Sequence, residues 1–125
     1  MKAVTFSTYG TPDVLEIREL PIPEPGPGEV RVRVHSAAVN PTDAAFRAGA
    51  YAPLVDQLTD VVPPFVPGMD ASGFIDAIGP GVDDRLSVGE KVVAFVRPVS
   101  PQGGAYAEYV VLPETSVVQA PRGLD

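Results

Sequence analysis

Residues 29–39 read Glu29-Val30-Arg31-Val32-Arg33-Val34-His35-Ser36-Ala37-Ala38-Val39, the clearest pattern in the chain. Val30, Val32 and Val34 fall on one side of a two-residue repeat. Arg31, Arg33 and His35 fall on the other. Such alternation fits a strand with one face in a core and one in water, because successive side chains of a strand point to opposite faces. His35 lies on the wet face, so it reads as a surface histidine rather than a ligand or a general base.

Working outward, the segment before this strand is Pro21-Ile22-Pro23-Glu24-Pro25-Gly26-Pro27-Gly28. Four prolines there remove ladder donors and predict an extended connector with turns. Further upstream, residues 2–9 predict a first strand, and residues 14–20, whose alternation is imperfect, a second. After the 29–39 strand, Asn40-Pro41-Thr42-Asp43 reads as a helix start. Asn40 suits the cap, Pro41 the first turn and Asp43 the positive end of the helix dipole. That helix is expected to end by Gly49. Residues 50–67 show no period and are expected to form a surface loop, with at most a short turn around 54–60.

Residues 70–79 predict a strand with Gly73 inside it, a sign of a bulge or a close backbone approach. Residues 91–97 and 105–112 predict apolar strands, and 116–120 a short last one. Short strands separated by turn residues predict a mainly β fold, a small barrel or sandwich.

Composition narrows the function. Of 125 residues, 36 are Ile, Leu, Val or Phe, enough to build a core, and 20 of these are Val, which favours strands. The 15 prolines argue against long helices. The net charge of −7, with Lys2 and Lys91 the only lysines, disfavours nucleic acid as a partner. No uncharged apolar run approaches ~18 residues, so no membrane-spanning helix is expected. With no leader pattern at Met1, the chain is expected to be cytoplasmic. There is no cysteine and His35 is the single histidine, which excludes disulfides, thiolate nucleophiles and Cys/His zinc sites.

Gly26-Pro27-Gly28 and Gly79-Pro80-Gly81 read as turns, since proline removes a donor that a phosphate cradle needs. No full dinucleotide fingerprint is present. A serine triad lacks a base, because His35 lies on an alternating strand. Asp83-Asp84 reads as solvated charge. Asp43 and Asp70 could act as a carboxylate pair only if folding brings them together.

Several segments, in order, carry a resemblance. They are MKAVTFSTYGTPDVLEI (1–17), PEPGPGEVRVRV (23–34), AAVNPTDAAFRAGAY (37–51), PFVPGMDASGFIDAIGPGV (64–82), VGEKVVAF (88–95) and GGAYAEYVVLP (103–113). Together they resemble the first, GroES-like domain of the zinc-independent medium-chain dehydrogenase/reductases, with the quinone oxidoreductases as the nearest subgroup. The resemblance covers residues 1–125. It implies a partly open GroES-like β-barrel with one or two short helices.

The resemblance also assigns expected roles. Zinc-dependent relatives carry a cysteine where this chain has Asn40 and a histidine where it has Met69. Amide and thioether are poor zinc ligands, so no metal is expected. Thr42 and Asp43 match a hydroxyl and an aspartate of the zinc branch, whose proton relay is broken here by Ala45. Tyr51 matches a pocket tyrosine; it either lines the acceptor site or packs in its loop with the hydroxyl in water. Asn40 matches an asparagine beside the nicotinamide. The resemblance thus implies Tyr51 and Asn40 for substrate, and Asn40, Thr42 and Asp43 for cofactor. No residue is assigned as catalytic.

In that family a Rossmann domain follows and holds NADPH; it is absent from this chain. The implied function is the substrate-side domain of an NADPH-dependent oxidoreductase that reduces a quinone, an enone or a related small carbonyl acceptor. Alone, the domain is expected to be inactive and to bind no cofactor. The alternative is a stand-alone GroES-like binding or scaffold module.

Overall fold

The protein is represented by a computed structural model, which describes residues 1–123. Leu124 and Asp125, the end of the expected 1–125 domain, lie outside the described residues.

The alternating segment forms β3 (Glu29–Ala37) at the centre of the fold. It pairs antiparallel on one side with β4 (Asp70–Ile78) and on the other with β6 (Tyr109–Pro113). β5 (Lys91–Phe95) and β7 (Val117–Gln119) extend the sheet, in the order β6-β3-β4-β5-β7. A second sheet joins β1 (Lys2–Thr5) to β2 (Glu16–Glu19), with Val4 opposite Ile17. β1 also leans on the segment leading into β6: Val4 N–H donates to the Tyr106 carbonyl at 2.8 Å and Glu108 N–H to that of Lys2 at 3.1 Å. The two sheets curl toward each other without closing, a partly open β-barrel of the GroES-like kind.

The valine stripe does what its period predicts. Val30 and Val32 are fully buried with Ile75, Val92, Val110 and Val117. His35 is exposed. On the same face Arg31 is not simply solvated. Its guanidinium donates to the Asp76 carboxylate at 2.9 and 3.1 Å and lies 5.5 Å from the Tyr109 ring centroid. Those bonds push the Arg31 pKa further up.

The expected irregularity at Gly73 is present. The β3–β4 register shifts between Val34 and Ser36, beside Gly73. A Cβ on Gly73 would stand 2.1 Å from the Arg33 carbonyl oxygen, so only glycine lets these backbones meet.

Other expectations change. The first strand is shorter than 2–9, and β2 starts at Glu16 because Pro12–Val14 forms a 3-10 turn. β2 buries none of its side chains; Ile17 is 73% exposed. β6 begins at Tyr109 rather than near residue 105.

The largest correction concerns residues 50–67. They hold a short helix α2 (Ala52–Val55) and supply Val55, Val61 and Phe65 to a second apolar cluster with Phe6 and Phe46. Phe6 and Phe65 exchange backbone hydrogen bonds at 3.0 and 2.8 Å, and the Phe6 and Phe46 rings meet edge to face at 5.0 Å. A proline-rich stretch with no period gives no sign of which side chains point inward, so this burial is decided by partners distant in sequence.

Candidate functional site

Helix α1 (Pro41–Ala48) builds the site at its first turn. Asn40 precedes it in extended backbone, Pro41 opens it and Gly49 ends it at φ 99°. Asn40 and Asp43 form a capping box. Asp43 Oδ2 accepts from the Asn40 backbone N–H at 2.8 Å. The Asn40 side chain reaches the other way, its Nδ2 donating to Asp70 Oδ2 at 2.7 Å. The helix start is therefore tethered to the first residue of β4.

Asp43 is 5% exposed and its carboxylate is surrounded by donors. Oδ1 accepts from the Gly68 N–H at 2.9 Å, which fixes the turn carrying Met69. The Tyr106 hydroxyl lies 3.1 Å from Asp43 Oδ2 and 3.2 Å from the Ala38 carbonyl oxygen. With one proton to donate, it favours the charged acceptor. Burial, and then the negative charge of Asp43, push the Tyr106 hydroxyl up to about 12. Gly68 has φ 105°, and a Cβ there would stand 2.6 Å from the Tyr106 ring and 2.8 Å from the Ala105 nitrogen. The close stacking of these segments depends on that glycine.

Asp43 and Asp70 do not form a carboxylate pair. Each bonds Asn40, one at the backbone N–H and the other at the side-chain amide. Asp43 is buried among donors, whereas Asp70 is exposed.

Thr42 and Tyr51 come to one cleft of about 270 Å³, together with Leu54, Met69, Phe95 and Arg97. Asn40 sits at the helix start next to it and is not part of its lining. A larger, flatter groove of about 790 Å³ runs over Ser36, Asp70, Ala94 and Val118. Phe95, 52% exposed, borders both. The smaller cleft has the features of a small-molecule site: an apolar lining with a few polar side chains. Among the described residues no three His, Asp or Glu side chains gather where they could hold a metal ion. No helix among them is long and apolar enough to cross a membrane.

Tyr106, Phe95 and Arg97 are site residues that the sequence reading missed. Tyr106 reaches Asp43 across 63 positions, and nothing local marks it. Arg97 had one weak signal, a charge at the end of the apolar run Lys91–Phe95.

Comparison with known proteins places the chain in a family. Residues 26–122 match the alcohol dehydrogenase GroES-like domain model. The chain is 38% identical to a quinone oxidoreductase of Pseudomonas aeruginosa over 125 residues, which covers 99% of this chain and 34% of that protein. It is 36% identical to a 2-haloacrylate reductase of a Burkholderia species, covering 98% of this chain and 34% of that protein. The structure of a mycobacterial protein complexed with NADPH is similar at a TM-score of 0.83 and 32% identity, covering all of this chain and 35% of that one. The chain thus spans about a third of the length of the relatives it matches. On this sequence match and this fold, the chain belongs to the alcohol dehydrogenase GroES-like domain family, in its quinone oxidoreductase-like branch.

Proposed function

We propose that this chain is the acceptor-side domain of a zinc-independent, NADPH-dependent oxidoreductase of the cytoplasm that reduces a quinone, an enone or a related carbonyl compound. The observation that carries the proposal is the apolar cleft in which Thr42 and Tyr51 stand beside Met69. Relatives named for a quinone and a haloacrylate, and one complexed with NADPH, support the acceptor class and the cofactor.

The donor set does not suit zinc. Asn40 offers an amide already engaged with Asp70, and Met69 a thioether, where zinc favours thiolate, imidazole or carboxylate. No step is therefore routed through a metal. NADPH, when bound, supplies the hydride. The chain's residues fit only its nicotinamide end. Asn40 and Thr42 would hold that end, while Asp43 acts from behind by fixing the helix start and the Met69 turn. The Tyr51 hydroxyl would orient the acceptor, and Leu54 and Phe95 would exclude water. Among the described residues no segment makes a phosphate cradle, so on this reading the remainder of the dinucleotide is held by a second domain.

The test compares the 125-residue chain with the complete enzyme that contains it. The complete enzyme is expected to oxidise NADPH in the presence of a quinone or an enone. The chain alone is expected to show no turnover and to bind NADPH no better than about millimolar, near −4 kcal/mol. In the complete enzyme, Asn40→Ala is expected to lower turnover more than Tyr51→Phe, since it removes both a cofactor contact and the tether to Asp70. Micromolar NADPH binding by the chain alone would overturn the reading that most of the dinucleotide is held by a second domain.

A further inference from the structure

Thr42, Tyr51 and Arg97 are the polar residues of the cleft, and among the described residues the side chain of none of them makes a hydrogen bond or an ion pair. Four other arginines, Arg18, Arg31, Arg47 and Arg85, do have such partners, whereas Arg33 has only a ring contact with Phe74. There are 16 Asp and Glu against nine Lys and Arg, so a cation has acidic partners to spare. Arg31, for example, is held by Asp76, and Arg85 by the carbonyls of Glu114 and Val117. An exposed arginine with no partner is ordinarily just solvated. Arg97 differs in its setting: it is the one charged residue lining a mostly apolar cleft, where low-polarity walls strengthen its attraction for an anion.

All three groups can donate hydrogen bonds, and the guanidinium can do nothing else. A ligand that satisfies them is rich in acceptors and negatively charged. A carboxylate meets a guanidinium fork in two parallel bonds and has lone pairs left for a hydroxyl. A neutral quinone offers the guanidinium no negative charge to pair with. At about 270 Å³ the cleft lies just below the ~300–1,000 Å³ that holds drug-sized ligands, so the acid is small.

We propose that Arg97 selects a small unsaturated carboxylic acid, a 2-enoate, as the acceptor over neutral compounds of the same size. The proposal rests on the oxidoreductase reading above and names its substrate class. In the step, a hydride from NADPH forms a C–H bond at the β-carbon. The C=C π pair moves to the α-carbon, which takes a proton from water. The products are NADP⁺ and the saturated acid. The Arg97 guanidinium holds the carboxylate, and the Tyr51 hydroxyl donates to one of its remaining lone pairs.

The test follows NADPH oxidation by the complete enzyme with crotonate and with methyl crotonate, which differ in charge but hardly in shape. Wild type is expected to prefer crotonate in kcat/KM. Arg97→Met is expected to reduce the crotonate-to-ester preference by about tenfold or more, the loss of a charge-assisted hydrogen bond. Arg97→Lys is expected to restore part of it. An unchanged preference in Arg97→Met, or a rise in the KM for NADPH alone, overturns the proposal. Binding of crotonate to the 125-residue chain, read from backbone amide resonances, separates this proposal from the reading beneath it. Crotonate binding that is lost in Arg97→Met, in an enzyme that reduces neither acceptor, keeps the anion site and removes the oxidoreductase reading. Turnover of a quinone or the ester, with crotonate neither bound nor reduced, keeps the oxidoreductase reading and removes the role of Arg97.

Discussion

Asp43 shows how a buried charge is made tolerable. Ionised carboxylates are costly to remove from water unless donors replace the lost hydration. Here Gly68, Asn40 and Tyr106 supply them, each from a different segment. The Tyr106 hydroxyl is the one donor that can be removed without touching the backbone. Tyr106→Phe is expected to cost about 1 kcal/mol, with the bond partly screened by its exposure. The pH dependence has a definite sign. The folded-state pKa of Tyr106 is raised to about 12, above its ordinary 10.0, so the fold favours the protonated hydroxyl. Its contribution is complete below pH ~10 and is lost as the pH rises through about 12. Denaturant midpoints taken across that range are expected to fall more steeply in the wild type than in Tyr106→Phe. Parallel slopes would show that Tyr106 does not titrate against Asp43.

At the scale of elements, two contacts set the site: β4 against β3, and α1 against the start of β4. The first depends on Gly73. Gly73→Ala places a Cβ 2.1 Å from the Arg33 carbonyl, and neither strand can retreat without breaking the central sheet. The expected loss is at least ~3 kcal/mol, or a failure to fold. Gly81→Ala is the control. Gly81 has φ 76° with no atom within 4 Å of the added carbon, so its cost is the backbone conformation alone, about 1 kcal/mol. Soluble yield and urea midpoints of the two variants check this; equal losses would mean that the close approach at Gly73 relaxes easily. The second contact explains why Thr42 faces a cleft at all. The Asn40–Asp70 bond and the Asp43–Gly68 bond bring the first turn of α1 to the turn bearing Met69.

For the whole molecule, an open barrel leaves one side of the sheet and the cleft beside it uncovered. Phe95 and Val118 stay more than half exposed there, and both border the large groove. A domain of this kind offers one wall of a site. Its chemistry is then set by which side chains stand on that wall, and these are amide, thioether and hydroxyl rather than metal ligands. The protein purified without chelators is expected to contain far less than one zinc per chain. On the zinc-independent reading proposed above, its thermal midpoint is expected to be unchanged by a chelator. Elemental analysis finding one zinc per chain would overturn the zinc-independent reading.

Much of this could be read from the chain alone, wherever the information was local. Val30, Val32 and Val34 announce a half-buried strand because the strand period is two. Asn40-Pro41-Thr42-Asp43 announces a helix start because caps act within four residues. Gly73 inside an apolar run announces a close approach because only glycine lacks a Cβ. By itself the sequence determined a mainly β fold, the placement of α1 and the amide and thioether at positions 40 and 69. Tertiary structure alone decided the rest, because those facts join residues with no local signature. Residues 50–67 became core only when Phe6 and Phe46 arrived opposite Val55 and Phe65. Asp43 and Asp70, candidates for a pair, were parted by Asn40. Tyr106 and Arg97 took their places through contacts set by sheet register and loop path, which no periodicity in a single segment can encode.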